Sequence, residues 1–278
     1  GSVLLWLEQA VREDDYDVII VDSAPTGETL TLLTLPQVTQ WWLSKAFPFQ
    51  KLAVKSVGFG VRKTTGIPLD KGYEELEALF EKLEAIRDVL ATHAVTSIRL
   101  VMNPEKMVIQ EARRAYTYLQ LYGYGVDSVI VNRVLPEEKV PDGSLFAEYL
   151  TSQAEYLQEI EHSFAPLPIL QVPHRGQEVF GLERLNDVAE AMYAGHNPSD
   201  VLHDEPTFAI EEDGDAYIAK IRLPFAEAAE VDARQFGDQL VVQVANQRRN
   251  YTLPNFLSYY TLSDHTLTDG WLRARFED

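Results

Sequence analysis

Hydrophobic positions along this chain follow two regimes. Up to about Gly195, short β-branched runs alternate with stretches whose apolar residues recur every three or four positions. That alternation predicts βα units around a parallel sheet. The strand-like runs are Asp17–Val21, Ile98–Met102, Ser128–Asn132 and Pro168–Val172. Between them, Glu74–Leu90 places Leu76, Leu79, Leu83, Ile86 and Leu90 on one helical face. Asn103-Pro104-Glu105 reads as a helix start, with Asn as the cap and Pro in the first turn. This helix runs to about Tyr122, where Gly123 stops it. Ser144–His162 and Leu182–Tyr193 are two more helices, and Val3–Leu7 with Val11 has helical spacing.

From about Pro206 the period changes to two. Tyr217–Leu223, Leu240–Val244 and Trp271–Phe276 alternate, with Asp213-Gly214, Phe236-Gly237-Asp238 and Asp269-Gly270 as turn signals between them. The expectation is an all-β sandwich with Leu240, Val242 and Val244, or their alternates, facing inward. His196–Asp200 is the expected linker, giving an α/β domain over residues 1–197 and a β domain over 198–278.

The chemistry concentrates after the first run. Val18-Ile19-Ile20-Val21 leads into Asp22, and Ala24, Pro25, Thr26 and Gly27 follow. A buried strand ending in a carboxylate delivers that carboxylate to the sheet edge where open α/β folds bind ligands. Gly27 allows close backbone approach, and the combination suits a Mg²⁺-bound phosphate. The segment Tyr16–Leu30 resembles the switch II segment of the ArsA-type ATPases, which include arsenite-pump ATPases and chaperones that target tail-anchored membrane proteins. Glu28 stands where that family has His, and Thr31 where it has Arg. Gly237–Val242, Arg248–Pro254 and Asp269–Leu272 resemble an α-crystallin (small heat-shock protein) domain of the kind fused to some bacterial and plastid members. The resemblance implies a deviant P-loop NTPase sheet flanked by helices, followed by an α-crystallin-like sandwich. It also implies ATP and Mg²⁺ as ligands, with Asp22 holding Mg²⁺ through water.

Composition narrows this. The 278 residues carry 24 Lys and Arg against 43 Asp and Glu, a net charge of −19. Such a chain repels nucleic acid and anionic lipid, so no nucleic-acid partner is expected. No apolar run has the length of a membrane span. The absence of Cys removes disulfides and thiolate chemistry and fits a reducing compartment; we expect the cytoplasm, or the stroma of a plastid. No G-x-x-x-x-G-K-[ST] phosphate loop occurs. In the family that loop and switch I precede switch II, so we expect an N-terminal part beyond Gly1-Ser2. No catalytic residue is assigned to these positions.

Two loops after predicted strands are candidate nucleotide contacts. Asn132 ends one run, and a side-chain amide that both donates and accepts can read the edge of adenine; the alternative is an Asn that opens a turn. Family likeness assigns Asn132 to the base and Arg133 to a supporting role. Pro173-His174-Arg175-Gly176 resembles the segment that closes over the base, with Pro173 and the backbone at Arg175 lining the pocket. Glu178 reads as a carboxylate at a helix N-terminus, and His174 as a loop residue rather than a metal ligand.

Trp41, Trp42, Phe47 and Phe49 form the densest apolar stretch. Burying each contributes roughly 1.5–3 kcal/mol. They are candidates for binding a hydrophobic client peptide or membrane-protein segment, or for packing against the core or a second copy. The family implies a homodimer that opens and closes with ATP hydrolysis. An arsenite-pump ATPase subunit and a non-catalytic binding or chaperone module are the alternatives.

Overall fold

A computed structural model of the chain describes residues 2–13, 15–23, 78, 81, 82, 84–137 and 147–278. The chain divides into two compact units, residues 1–95 and 96–278.

In the first unit, helix α1 (Ser2–Glu13) buries Leu7 and Ala10 while Trp6 stays exposed, its ring 6.4 Å from that of Tyr16. Residues 84–91 are helical with Ile86 buried, as the spacing of the Glu74–Leu90 segment predicts. The expected strand Asp17–Val21 does not form. Residues 15–23 are irregular, and Ile20 is 89% exposed. A buried strand must hand its N–H and C=O groups to neighbours on both sides. Among the described residues no strand pairs with this run.

In the second unit, β1 (Ile98–Met102), β2 (Val126–Val134) and β3 (Ile169–Pro173) form a parallel sheet in the order β1-β2-β3. The connections are helices α2 (Lys106–Tyr122) and α3 (Ala147–Phe164), and α4 (Leu182–Tyr193) follows β3. Val129 and Val131 are buried at the centre of the sheet. Asn103 is not the helix cap: Glu105 occupies that position, with no side-chain bond to the helix. The Glu105 N–H instead donates to the Asn103 carbonyl at 2.8 Å, which tightens the turn and delays the helix start.

Seven antiparallel strands follow. They are β4 (Phe208–Asp213), β5 (Ala216–Arg222), β6 (Val231–Phe236), β7 (Gln239–Val244), β8 (Gln247–Thr252), β9 (Thr261–Thr268) and β10 (Trp271–Glu277). One sheet runs β4-β5-β10-β9 and the other β6-β7-β8. The inner face carries Ala219, Ile221, Leu240, Val242, Val244, Leu272, Ala274 and Phe276, all buried, so the predicted alternation from Leu240 to Val244 is the one that forms.

This sandwich is not free-standing. Leu121, near the end of α2, is part of its core. The Tyr251 hydroxyl and Arg249 Nη1 both donate to the Leu121 carbonyl, at 2.6 and 2.7 Å. The Tyr122 hydroxyl meets Gln247 Oε1 at 2.5 Å. The linker is fixed separately. Arg99 forks onto buried Asp127 at 3.2 Å and donates to the Asp200 carbonyl at 2.9 Å, while Asp127 also accepts from the Leu202 N–H.

Candidate functional site at the carboxyl edge of the parallel sheet

The strands β1, β2 and β3 point the same way, so the loops after Met102, Val134 and Pro173 emerge on one edge. Asn132 and Arg133 form an irregularity near the end of β2. The register with β3 runs Val131↔Gln171 and then jumps to Val134↔Pro173. Arg133 takes a left-handed conformation, φ 58, and its N–H donates to Asn132 Oδ1 at 2.9 Å. That bond uses the amide oxygen of Asn132 locally and leaves Nδ2 with no partner among the described residues. The Asn opens the turn, and the same bond orients its free donor.

Val134 and Pro173 end adjacent strands, with Asn132 two residues before the end of β2, and the His174 N–H donates to the Val134 carbonyl at 2.7 Å, tying the two loops together. His174 Nδ1 accepts from the Gly176 N–H at 3.1 Å. The Arg175 guanidinium turns toward α4 and donates to the Asp187 carbonyl at 2.9 Å. Its backbone stays at the sheet edge while its charge serves the loop's own fold.

Sequence reasoning missed Gln153. This residue of α3 is buried. Its amide donates to the Leu135 carbonyl at 2.9 Å and accepts from the Leu135 N–H at 2.8 Å. It therefore acts as a strand partner for the chain leaving β2 and fixes the loop that carries Asn132. Nothing distinguishes Gln153 from other helical glutamines in the sequence; only the fold brings it to Leu135. Beside it lies a cavity of about 280 Å³, lined by Pro104, Lys106, Tyr149, Ser152, Gln153 and Tyr156, opening where β1 and β2 end.

The segment after Pro173 exposes apolar side chains. Phe180 is 87% and Leu182 80% exposed, and α4 has no buried residue.

Thus Asn132, Arg133, Pro173 and Arg175 lie along one edge. Asp22 lies in the exposed irregular stretch of the first unit rather than at a strand end. Ala24, Pro25, Thr26 and Gly27, and the aromatic group Trp41, Trp42, Phe47 and Phe49, lie outside the described residues. Among the described residues no helix is long and apolar enough to cross a membrane, and no three His, Asp or Glu side chains gather as metal ligands.

Comparison with known proteins covers nearly the whole chain. Residues 3–194 match the family described as "Anion-transporting ATPase", and residues 214–276 match "HSP20-like domain found in ArsA". A protein named "Putative arsenical pump-driving ATPase 1" in Aquifex aeolicus is 36% identical over 91% of this chain and 65% of its own length. A protein of similar name in Prosthecochloris vibrioformis is 37% identical over 94% of this chain and 65% of its own length. "ATPase GET3" of Phaeosphaeria nodorum is 30% identical over 63% of this chain and 55% of its own length. The chain therefore spans just under two thirds of the length of these two arsenical-pump relatives.

Proposed function

Because this chain belongs to the ArsA family of anion-transporting ATPases, with an HSP20-like domain behind the ATPase fold, we propose that it carries the adenine half of an ATP site. The observation that supports this most directly is the side-by-side ending of β2 and β3, which brings Asn132 and Pro173 to one carboxyl edge. Asn132 Nδ2 donates to a ring nitrogen of the base, and Pro173 with the Arg175 backbone packs against the base plane. Arg133 is exposed on the same turn and has a supporting role in this reading. The donor set fits: one oriented amide donor, an apolar ring and free backbone at a sheet edge are what a purine requires.

Mg²⁺ belongs to the phosphate half of the site. Asp22 is its candidate holder through water, with Ala24, Pro25, Thr26 and Gly27 as the further candidates next to it in sequence. The hydrolytic groups are not among these residues in this reading. The whole protein is an ATPase that opens and closes as a homodimer and binds hydrophobic clients through Trp41, Trp42, Phe47 and Phe49. An arsenite-pump subunit is the second reading, favoured by the names of the relatives at 36–37% identity. These 278 residues hold no Cys, and As(III) prefers thiolate ligands. A non-catalytic chaperone module is the third.

Binding of a fluorescent ATP analogue to the full-length protein tests the first reading. Asn132→Ala should weaken it roughly tenfold, the value of one lost directional hydrogen bond at a desolvated site, with the folded spectrum unchanged. Unchanged nucleotide affinity would overturn the assignment.

A further inference from the structure

Gln153 holds main chain that no described strand holds. On the β3 side of β2, the Val134 carbonyl accepts from the His174 N–H. On the other side β1 has already ended: Met102, its last residue, pairs with Val131. The Leu135 N–H and C=O therefore have no strand beside them, and unpaired main-chain groups out of water are costly. The amide of Gln153 takes both, at 2.8 and 2.9 Å, from a side chain that is 4% exposed. Only Asn and Gln present a donor and an acceptor on one planar amide. Gln153 also borders the cavity of about 280 Å³, which leaves room for a substituted side chain.

Two residues upstream of Leu135 the backbone is held against its preference. Arg133 is left-handed, φ 58, a conformation that a non-glycine residue keeps only where its surroundings hold it. Strand pairing through Val131 fixes the chain on one side of Arg133. On the other side three hydrogen bonds fix it, one from His174 to Val134 and two between Gln153 and Leu135. The Arg133 N–H donates to Asn132 Oδ1, so the orientation of that peptide sets the direction of Asn132 Nδ2.

We propose that Gln153 is a positioning residue for the nucleotide base. Without touching the ligand, it keeps Arg133 left-handed and thereby keeps the Asn132 donor aimed at the carboxyl edge. This rests on the adenine reading above. It differs from a purely architectural role in one respect: the effect of Gln153 on binding passes through Asn132.

The test is binding of a fluorescent ATP analogue to the full-length protein, in a cycle of Gln153→Met and Asn132→Ala. Met is close to Gln in length and removes both hydrogen bonds. Gln153→Met should weaken binding roughly fivefold, within the range of one hydrogen bond. In the Asn132→Ala background it should change affinity by less than about twofold, since no donor remains to be aimed. Gln153→Glu supplies the rescue. Its ionised carboxylate has no proton for the Leu135 carbonyl; its protonated form again donates and accepts. Its affinity relative to wild type should recover as pH falls toward about 5, and that of Gln153→Met should not. Amide exchange without nucleotide reads the clamp alone: Leu135 should exchange faster in Gln153→Met, and unchanged protection would overturn the clamp. Asn132→Ala without effect on nucleotide would overturn the adenine reading, and this proposal with it. A weakened Asn132→Ala beside an unchanged Gln153→Met would overturn the positioning role alone. Equal losses from Gln153→Met in both backgrounds would make the glutamine architectural and overturn it too. If Gln153→Met does not fold, Gln153→Glu decides, and affinity that stays low at acidic pH overturns the proposal.

Discussion

Gly123 gives the sharpest test of how the sandwich is attached. It ends α2 in the left-handed region, φ 82, and its N–H closes onto the Gln120 carbonyl while the Tyr124 N–H closes onto that of Leu119. An added Cβ would lie 2.6 Å from Arg249 Nη1 and 2.9 Å from Nη2. The end of an arginine usually moves aside at little cost. This one is held twice, donating to the Leu121 carbonyl at 2.7 Å and lying 4.2 Å over the Tyr251 ring. For Gly123→Ala the left-handed backbone costs about 1 kcal/mol. Displacing the guanidinium loses a charge-assisted hydrogen bond and a cation–π contact, about 1–3 kcal/mol more. The expected total is roughly 2–4 kcal/mol. In an Arg249→Ala background the steric part vanishes and about 1 kcal/mol should remain. Urea unfolding of the four chains of this cycle, followed by far-UV circular dichroism, measures the coupling. Equal costs in the two backgrounds, or a wild-type-background cost under about 0.5 kcal/mol, would refute the reasoning.

Other expectations concern the linker and the buried tyrosines. Asp127→Ala leaves the Arg99 guanidinium unpaired beside a carboxylate site that was 1% exposed, so it should cost about 3–5 kcal/mol; limited proteolysis should then cut near residues 197–202, and a protected linker would contradict the staple. Burial pushes the Tyr116 and Tyr122 hydroxyls up to about 12. A raised folded-state value favours folding while the unfolded tyrosine is still neutral, so this stability is complete below about pH 10 and is lost as pH rises toward about 12. Tyr116→Phe should flatten that alkaline fall in unfolding free energy, and an unaltered slope would show that the hydroxyl ionises as freely in the fold as out of it.

Legibility followed the kind of force at work. Ile98–Met102 and Leu182–Tyr193 are legible to the residue because each is bounded locally, the first as a short apolar run and the second by Gly181 before it and the left-handed Ala194-Gly195 pair after it. Three hairpin turns were visible as Asp-Gly or Gly-Asp, since a positive φ selects those residues. The fourth, between β7 and β8, uses Ala245 at φ 50 and sends no such signal. Strand β8, Gln-Arg-Arg-Asn-Tyr-Thr, shows no hydrophobic alternation because Arg249 and Tyr251 are spent on the end of α2 rather than on a solvent face or a plain core. At the candidate edge, the strand runs that carry Asn132 and Pro173 show in the sequence, which places both residues near the carboxyl ends of β2 and β3. Gln153 does not show, since its partner is a main-chain group 18 residues away.

That same contrast bears on how the sandwich can act. A domain on a single flexible linker moves independently of its neighbour. Here the linker is pinned through Arg99 and Asp127, at the start of β1 and β2, the amino edge of the parallel sheet. The sandwich is pinned again at the far end of α2, where Leu121 enters its core and Tyr251, Arg249 and Gln247 hold the last turn. Arg113 of α2 adds a third tie, binding Glu159 and Ser163 of α3 and stacking 5.5 Å from Phe225 at the end of the first sandwich hairpin. Both attachments lie on the amino-edge side of the parallel sheet, since α2 ends at Tyr122 just before β2 begins at Val126, and with the Arg113 tie they restrict the hinge that a linker alone would leave. Three residues, 103–105, separate the end of β1 from α2, at the edge where β2 and β3 also end. The 17-residue helix α2 thus runs from that edge to the sandwich, whose core Leu121 enters.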